Sequence, residues 1–157
     1  MRSYYIYMLE IEGPHAEKRV YIGKTYQLEK RLQDHLGGNC KSAEALKQHT
    51  IKAIKEIHKI KGLEGLESLA ELDAITSRIE NKSITDKMNG DGGNKAKYRG
   101  GCYLYKWDDD TFDLLNLNHK NYEELKKYPL EKVNKTEYLV TGKNKHQIVK
   151  DIMKDIH

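Results

Sequence analysis

Val20-Tyr21-Ile22-Gly23-Lys24-Thr25 runs almost directly into Gln27–Leu36, QLEKRLQDHL. Val20, Tyr21 and Ile22 are strand formers, and Gly23 lets the backbone turn sharply. The decapeptide that follows predicts a helix. Arg31 and His35 lie four residues apart on it and so share one face. A tyrosine at a strand end is thereby set beside a helix carrying a permanent cation and a proton carrier, a combination suited to phosphate chemistry.

Working outward, residues 3–10, SYYIYMLE, predict a first strand. Glu12-Gly13-Pro14-His15 reads as a turn, so the two strands pair as an antiparallel hairpin. After a break at Gly37-Gly38-Asn39-Cys40, the spacing of Ala43, Leu46, Ala53, Ile54, Ile57 and Ile60 predicts a helix over 42–61. Leu66–Asn81 predicts another helix, and Ile84–Asn94 a loop. Cys102–Trp107 and Thr111–Leu115 predict two strands around the acidic turn Asp108-Asp109-Asp110. Asn121–Lys127 reads as a short helix, Glu137–Val140 as a strand, and Lys143–Ile156 as an amphipathic helix.

Composition sets the class. The 157 residues suffice for one domain with a core. The apolar fraction is 38% and the charged fraction 33%, which argues against a membrane protein. No run of about 18 apolar residues exists. The N-terminal MRSYYIYMLE lacks a signal-peptide pattern, and Cys40 and Cys102 show no CxxC spacing, so a reduced cytoplasmic location is expected. Net charge is +4; residues 100–157 hold 10 Lys+Arg and 10 Asp+Glu, so the whole excess lies in the first part. A basic excess on the segment with the tyrosines suits a polyanionic partner.

Tyr21-Ile22-Gly23-Lys24-Thr25 with Arg31 and His35 resembles the second half of the GIY-YIG nuclease signature. Tyr5-Ile6-Tyr7 fits the first half, with Tyr5 standing where the family has glycine. The resemblance covers residues 3–94. It implies an α+β fold, a small antiparallel sheet of about three strands flanked by helices. The expected division is a nuclease core over 1–100 and a C-terminal α/β extension over 101–157. The extension is expected to pack on the core or to form a DNA-contact or dimer surface. The implied activity is metal-dependent hydrolysis of DNA phosphodiesters, of restriction or of phage and mobile-element type. A non-catalytic nucleic-acid-binding protein that keeps the fold is the rival. The family's third strand is expected between the helix over 42–61 and the next, where Gly62-Leu63-Glu64-Gly65 is a poor strand; either that strand is very short or Cys102–Trp107 supplies the missing edge.

Such hydrolysis needs a base for water, positive charge against the phosphate, and help for the leaving oxygen. Tyr7 and Tyr21 are the candidate bases, and a phenol serves only if nearby cations favour its phenolate. Lys24 and Arg31 are those cations. Arg31 offers the phosphate a planar fork that never loses its charge; His35 is expected to orient the nucleophile's surroundings or to shuttle a proton. By resemblance, Glu71 holds Mg²⁺ or another divalent cation such as Mn²⁺, with Glu67 one turn earlier as its rival. Asn89, before Gly90-Asp91-Gly92-Gly93, is assigned to substrate, as is Lys24. The glycines lack a P-loop arrangement, and the cysteines and histidines lack zinc spacing.

Overall fold

The computed structural model describes residues 2–38, 44–112 and 122–157. Strands β1 (Tyr5–Glu12) and β2 (Lys18–Thr25) form an antiparallel hairpin that sets Tyr7 opposite Gly23 and Leu9 opposite Tyr21. Strict alternation of side chains sorts the hairpin onto two faces. Tyr5, Tyr7, Leu9, Ile11 and Tyr21 point one way; Ile6, Met8, Val20 and Ile22 point the other.

The first face is covered by two helices, α1 (Leu28–Leu36) and, near the end of the chain, α3 (Lys145–Ile156). Leu28, Leu32 and Leu36 recur every fourth residue, and Ile148, Val149 and Ile152 meet them from α3, so each helix buries one apolar stripe. The second face is covered by α2 (Leu69–Gly90), whose Leu72, Ile75, Ile79, Ile84 and Met88 turn inward. Ser68 caps α2, its hydroxyl accepting from the Glu71 amide at 3.0 Å. The sheet is thus a central layer between helices.

The third strand is the segment expected to be a helix over 42–61. Thr50–Ile60 is β3, antiparallel to β1 on the edge opposite β2. Its register slips twice, between Met8 and Leu9 and between Glu10 and Ile11, leaving Lys55 and Lys52 without a partner on β1. Each bulge resets the alternation by one residue. Ile51, Ile54 and Ile57 therefore all reach the α1 face at a spacing of three, which imitates helical periodicity. Buried Asn134 closes the gap at the Lys55 bulge: its side chain donates to the Lys55 carbonyl at 2.9 Å and accepts from the Ile57 amide at 2.8 Å.

Three short strands widen the sheet beyond the three expected. β4 (Tyr98–Gly100) lies parallel to β2, while β5 (Leu130–Lys132) and β6 (Tyr138–Leu139) both pair antiparallel with β3. The described sheet has six strands in the order β4-β2-β1-β3-β5, with β6 also on β3. Residues 130–157 thus extend the same sheet and pack α3 on α1.

The remaining expectations fare unevenly. Residues Ile84–Gly90, expected as loop, continue α2. Cys102–Trp107 forms no strand; Tyr103 makes one isolated bridge to Gly100. Of the strand expected over Thr111–Leu115, residues 113–115 lie outside the described residues, as do Asn39 and Cys40.

The segment after β4 is gathered by Arg99. Its guanidinium is fully buried and donates to the carbonyls of Lys95, Tyr98, Tyr105, Lys106 and Asp109. The rings of Trp107 and Phe112 each lie 5.0 Å from it. No helix among the described residues is long and apolar enough to cross a membrane.

Candidate active site

On the α1 face, the hairpin and the helix bring four expected residues together. The Tyr7 hydroxyl is 2.6 Å from His35 Nε2, and Arg31 Nε–H donates to the same hydroxyl oxygen at 3.1 Å. Tyr21 joins through its ring, 6.4 Å from that of Tyr7 and 5.6 Å from that of His35. The spacing explains the set: one turn of α1 separates Arg31 from His35, so both reach one phenol.

Gly23 makes room for that phenol. It pairs with Tyr7 in the hairpin, and a Cβ built on it would run into the Tyr7 hydroxyl. The requirement at this position is close approach of a ring rather than an unusual backbone angle.

His35 is 5% exposed, and burial, followed by the Arg31 charge, pushes its imidazole down to about 3. The ring is neutral at pH 7. Its Nδ1 has no hydrogen-bond partner among the described residues.

Lys24 sits on the other side of the strand and faces α2. Its ammonium donates to Asp73 Oδ1 at 2.8 Å, Ser77 Oγ at 2.7 Å, Thr76 Oγ1 at 3.1 Å and the Asp73 carbonyl at 3.3 Å. With its three hydrogens so engaged, Lys24 clamps the first half of α2 to β2 and presents no free donor to a ligand.

The clamp orients a carboxylate that the sequence reading passed over. Glu80 is 8% exposed, and burial raises its carboxyl to about 7. The charge of Lys24, the Lys24 main-chain amide and the charge of Arg31 oppose that rise. The carboxyl lies against Gly101: a Cβ there would come within 3.0 Å of Glu80 Oε1. Both cations thus favour the charged form of Glu80 against its burial.

The structure does not bring Glu71 to this group. Glu71 is exposed in the first turn of α2, nine residues before Glu80. Nine residues are about two and a half turns at about 100° each, so the two carboxylates point in opposite directions. Asn89, nine residues after Glu80, is turned away and exposed by the same arithmetic. Glu67 is exposed ahead of the helix. The signal for Glu80 was present: Thr76, Glu80 and Ile84 continue the buried stripe at every fourth position. A lone acid on an apolar stripe is costly unless it is used.

Lys24, Lys30, Arg31, Tyr26, Asp34 and Asp73 line one cleft of about 290 Å³, three cations against two acids. A larger cavity of about 680 Å³ lies further along α2, floored by Ile6, Met8 and Ile22. Its acids are engaged: Glu56 with Lys87 and His58, Asp91 with Lys97. The smaller cleft has the excess of cations and the arginine, and suits an anion better. Among the described residues no three His, Cys, Asp or Glu side chains cluster as a metal cage. A hard divalent ion that keeps its waters needs no such cage, and a single buried carboxylate such as Glu80 has the oxygen chemistry to hold one.

No curated protein and no solved structure matches the chain. Residues 3–69 match the family model of the GIY-YIG catalytic domain, a span that contains both tyrosines, Gly23, Arg31 and His35. Over this stretch the chain is similar to the catalytic domain of the GIY-YIG nuclease superfamily.

Proposed function

We propose that the protein is a DNA endonuclease that hydrolyses phosphodiester bonds with Mg²⁺ or another hard divalent cation. The observation that carries this reading is the convergence of Arg31 and neutral His35 on the Tyr7 hydroxyl, next to a cation-lined cleft. Arg31 holds the scissile phosphate through its planar, permanently charged fork. A water above the Tyr7 ring gives its proton to the phenol oxygen while the phenol proton moves to His35 Nε2. The water oxygen attacks phosphorus in line, and the far phosphoester oxygen leaves.

Substrate itself prepares the base. The Arg31 charge is one of the two causes that hold His35 unprotonated. A phosphate seated on Arg31 offsets that charge and makes His35 a better proton acceptor at the moment it is needed. Tyr21 packs the wall behind the relay. The metal role falls on Glu80 rather than on Glu71, since Glu80 is the buried carboxylate whose charged form the Lys24 and Arg31 charges favour. A divalent cation held there supplies positive charge to the phosphate and the leaving oxygen.

One such site cuts one strand. Cutting both requires a second copy, sequential nicking, or turning round on the duplex. The test is to incubate the purified chain with supercoiled plasmid in Mg²⁺ or in EDTA, beside Arg31→Ala, Tyr7→Phe and Glu80→Gln. Metal-dependent nicking lost in all three variants is expected. Binding of DNA without nicking by the wild-type chain under any divalent ion would establish the non-catalytic reading instead.

A further inference from the structure

The geometry points to Tyr26 as a stacking platform for a nucleobase next to the phosphate on Arg31, which makes the preferred substrate a strand with an unstacked base at that position. This rests on the nuclease reading and names the substrate class of the same site. Tyr26 is 44% exposed, a large aromatic ring in a position that contributes nothing to the core. It lies between the end of β2 at Thr25 and the start of α1 at Leu28.

Two cavities meet at this ring. The phosphate cleft of about 290 Å³ includes Tyr26, Lys30 and Arg31 in its wall. A second cavity of about 470 Å³ shares Tyr26, Gln27 and Lys30 and continues past them to Gln33 and His157. Tyr26 is therefore the ridge of a continuous track, with Lys24, Lys30 and Arg31 against Asp34 and Asp73 on the cleft side, Glu29 on the far side, and Lys30 common to both. A sugar-phosphate chain laid along such a track puts one phosphate on Arg31 and the adjoining base over the ridge.

The ring already holds a flat π-system. The Arg2 guanidinium lies over it, 4.3 Å from guanidinium carbon to ring centroid, while Tyr4 supports it at 5.6 Å with a tilt of 56°. A guanidinium and a nucleobase are both planar and stack on the same kind of surface. Arg2 is exposed, so a base can take its place and leave the guanidinium for the neighbouring phosphate. In a continuous duplex every base face is occupied by its neighbours. The platform is useful only where a base is free: a single strand, a flap, or a position opened by the enzyme.

The experiment compares wild type, Tyr26→Phe and Tyr26→Ala on a single-stranded oligonucleotide and on the duplex of the same sequence. Binding is measured in EDTA and steady-state cleavage in Mg²⁺. Phe should keep wild-type affinity within about twofold. Ala should lose about tenfold in Kd and KM on the single strand, with kcat unchanged and a loss below about threefold on the duplex. Tyr26→Trp supplies an independent reading: its fluorescence, corrected for Trp107, should be quenched on adding the oligonucleotide in EDTA. Equal behaviour of Ala and Phe, or an unquenched Trp in a bound complex, overturns the platform while leaving the nuclease reading intact. A wild-type chain that binds but never cuts, with quenching in Tyr26→Trp, overturns the nuclease reading and leaves the platform. A chain that binds neither nucleic acid overturns both.

Discussion

The Tyr7 hydroxyl occupies the space in which Gly23 would carry a side chain. The two residues face each other across the hairpin, so the relay among Tyr7, His35 and Arg31 depends on a missing methyl on the neighbouring strand. Gly23→Ala must push the phenol off both partners. We expect a loss of about 100-fold or more in cleavage, the scale of an ångström misplacement at a reacting centre. Overpacking should cost about 1–3 kcal/mol of stability. Circular dichroism with a nicking assay checks this; a fully active Gly23→Ala would refute the arrangement.

His35 gives a pH signature. Its folded-state value of about 3 lies below the ordinary 6.5, so between those values the unfolded chain binds a proton that the native chain does not. Stability is therefore complete above about 6.5 and falls as pH drops toward 3. His35→Gln should flatten that part of the urea-midpoint profile. In NMR, the His35 ring signals should stay fixed between pH 8 and 5.

Glu80 behaves in the opposite sense. Its folded value of about 7 lies above the ordinary 4.5, so the native carboxyl holds its proton through a window in which the unfolded one has released it. The stability from this group is complete below 4.5 and lost as pH rises through 7. Glu80→Gln, which is always neutral, should be the more stable protein at pH 8 and should no longer respond to Mg²⁺. At limiting Mg²⁺ the wild-type rate should climb through pH 7 as the carboxylate becomes free to hold the ion. Glu71→Gln should keep both the activity and its metal response; loss of both in that variant would return the metal to Glu71.

Lys24→Met removes the donor shared by Asp73, Thr76 and Ser77. The expected cost is about 1.5–3 kcal/mol, the scale of hydrogen bonds to a charged donor. The Mg²⁺ requirement should also rise, because the clamp sets the helix that carries Glu80. Lys24→Arg should not restore it, since a planar fork cannot serve the same oxygens as a compact ammonium. A melting curve and a Mg²⁺ titration of both variants decide the point.

The hairpin was legible from its runs of aromatic and branched strand formers, and α1 and α3 from their helical spacing. The convergence of Arg31 and His35 followed from their spacing on α1. Residues 50–60 were misread for a physical reason: two bulges against β1 give Ile51, Ile54 and Ile57 a spacing of three, and lysines fill the intervals as they would on a solvated helix. Ending the second long helix at Asn81 hid the stripe that continues through Ile84 and Met88, and with it the meaning of Glu80. Which acid is buried is set by the rotation of α2 about its axis. That rotation depends on the Lys24 clamp, a contact 49 residues apart in sequence.

Arg99 has a bearing on how the chain assembles. Its guanidinium is enclosed by main-chain oxygens drawn from both sides of it in sequence, from Lys95 to Asp109. Stripped of water before those oxygens arrive, the cation is strongly unfavourable; left in water, it holds the parallel strand away from β2. Strand docking and closure of the following segment are therefore one cooperative step. Native-state hydrogen exchange should show the amides of 98–103 opening together, as a single unit.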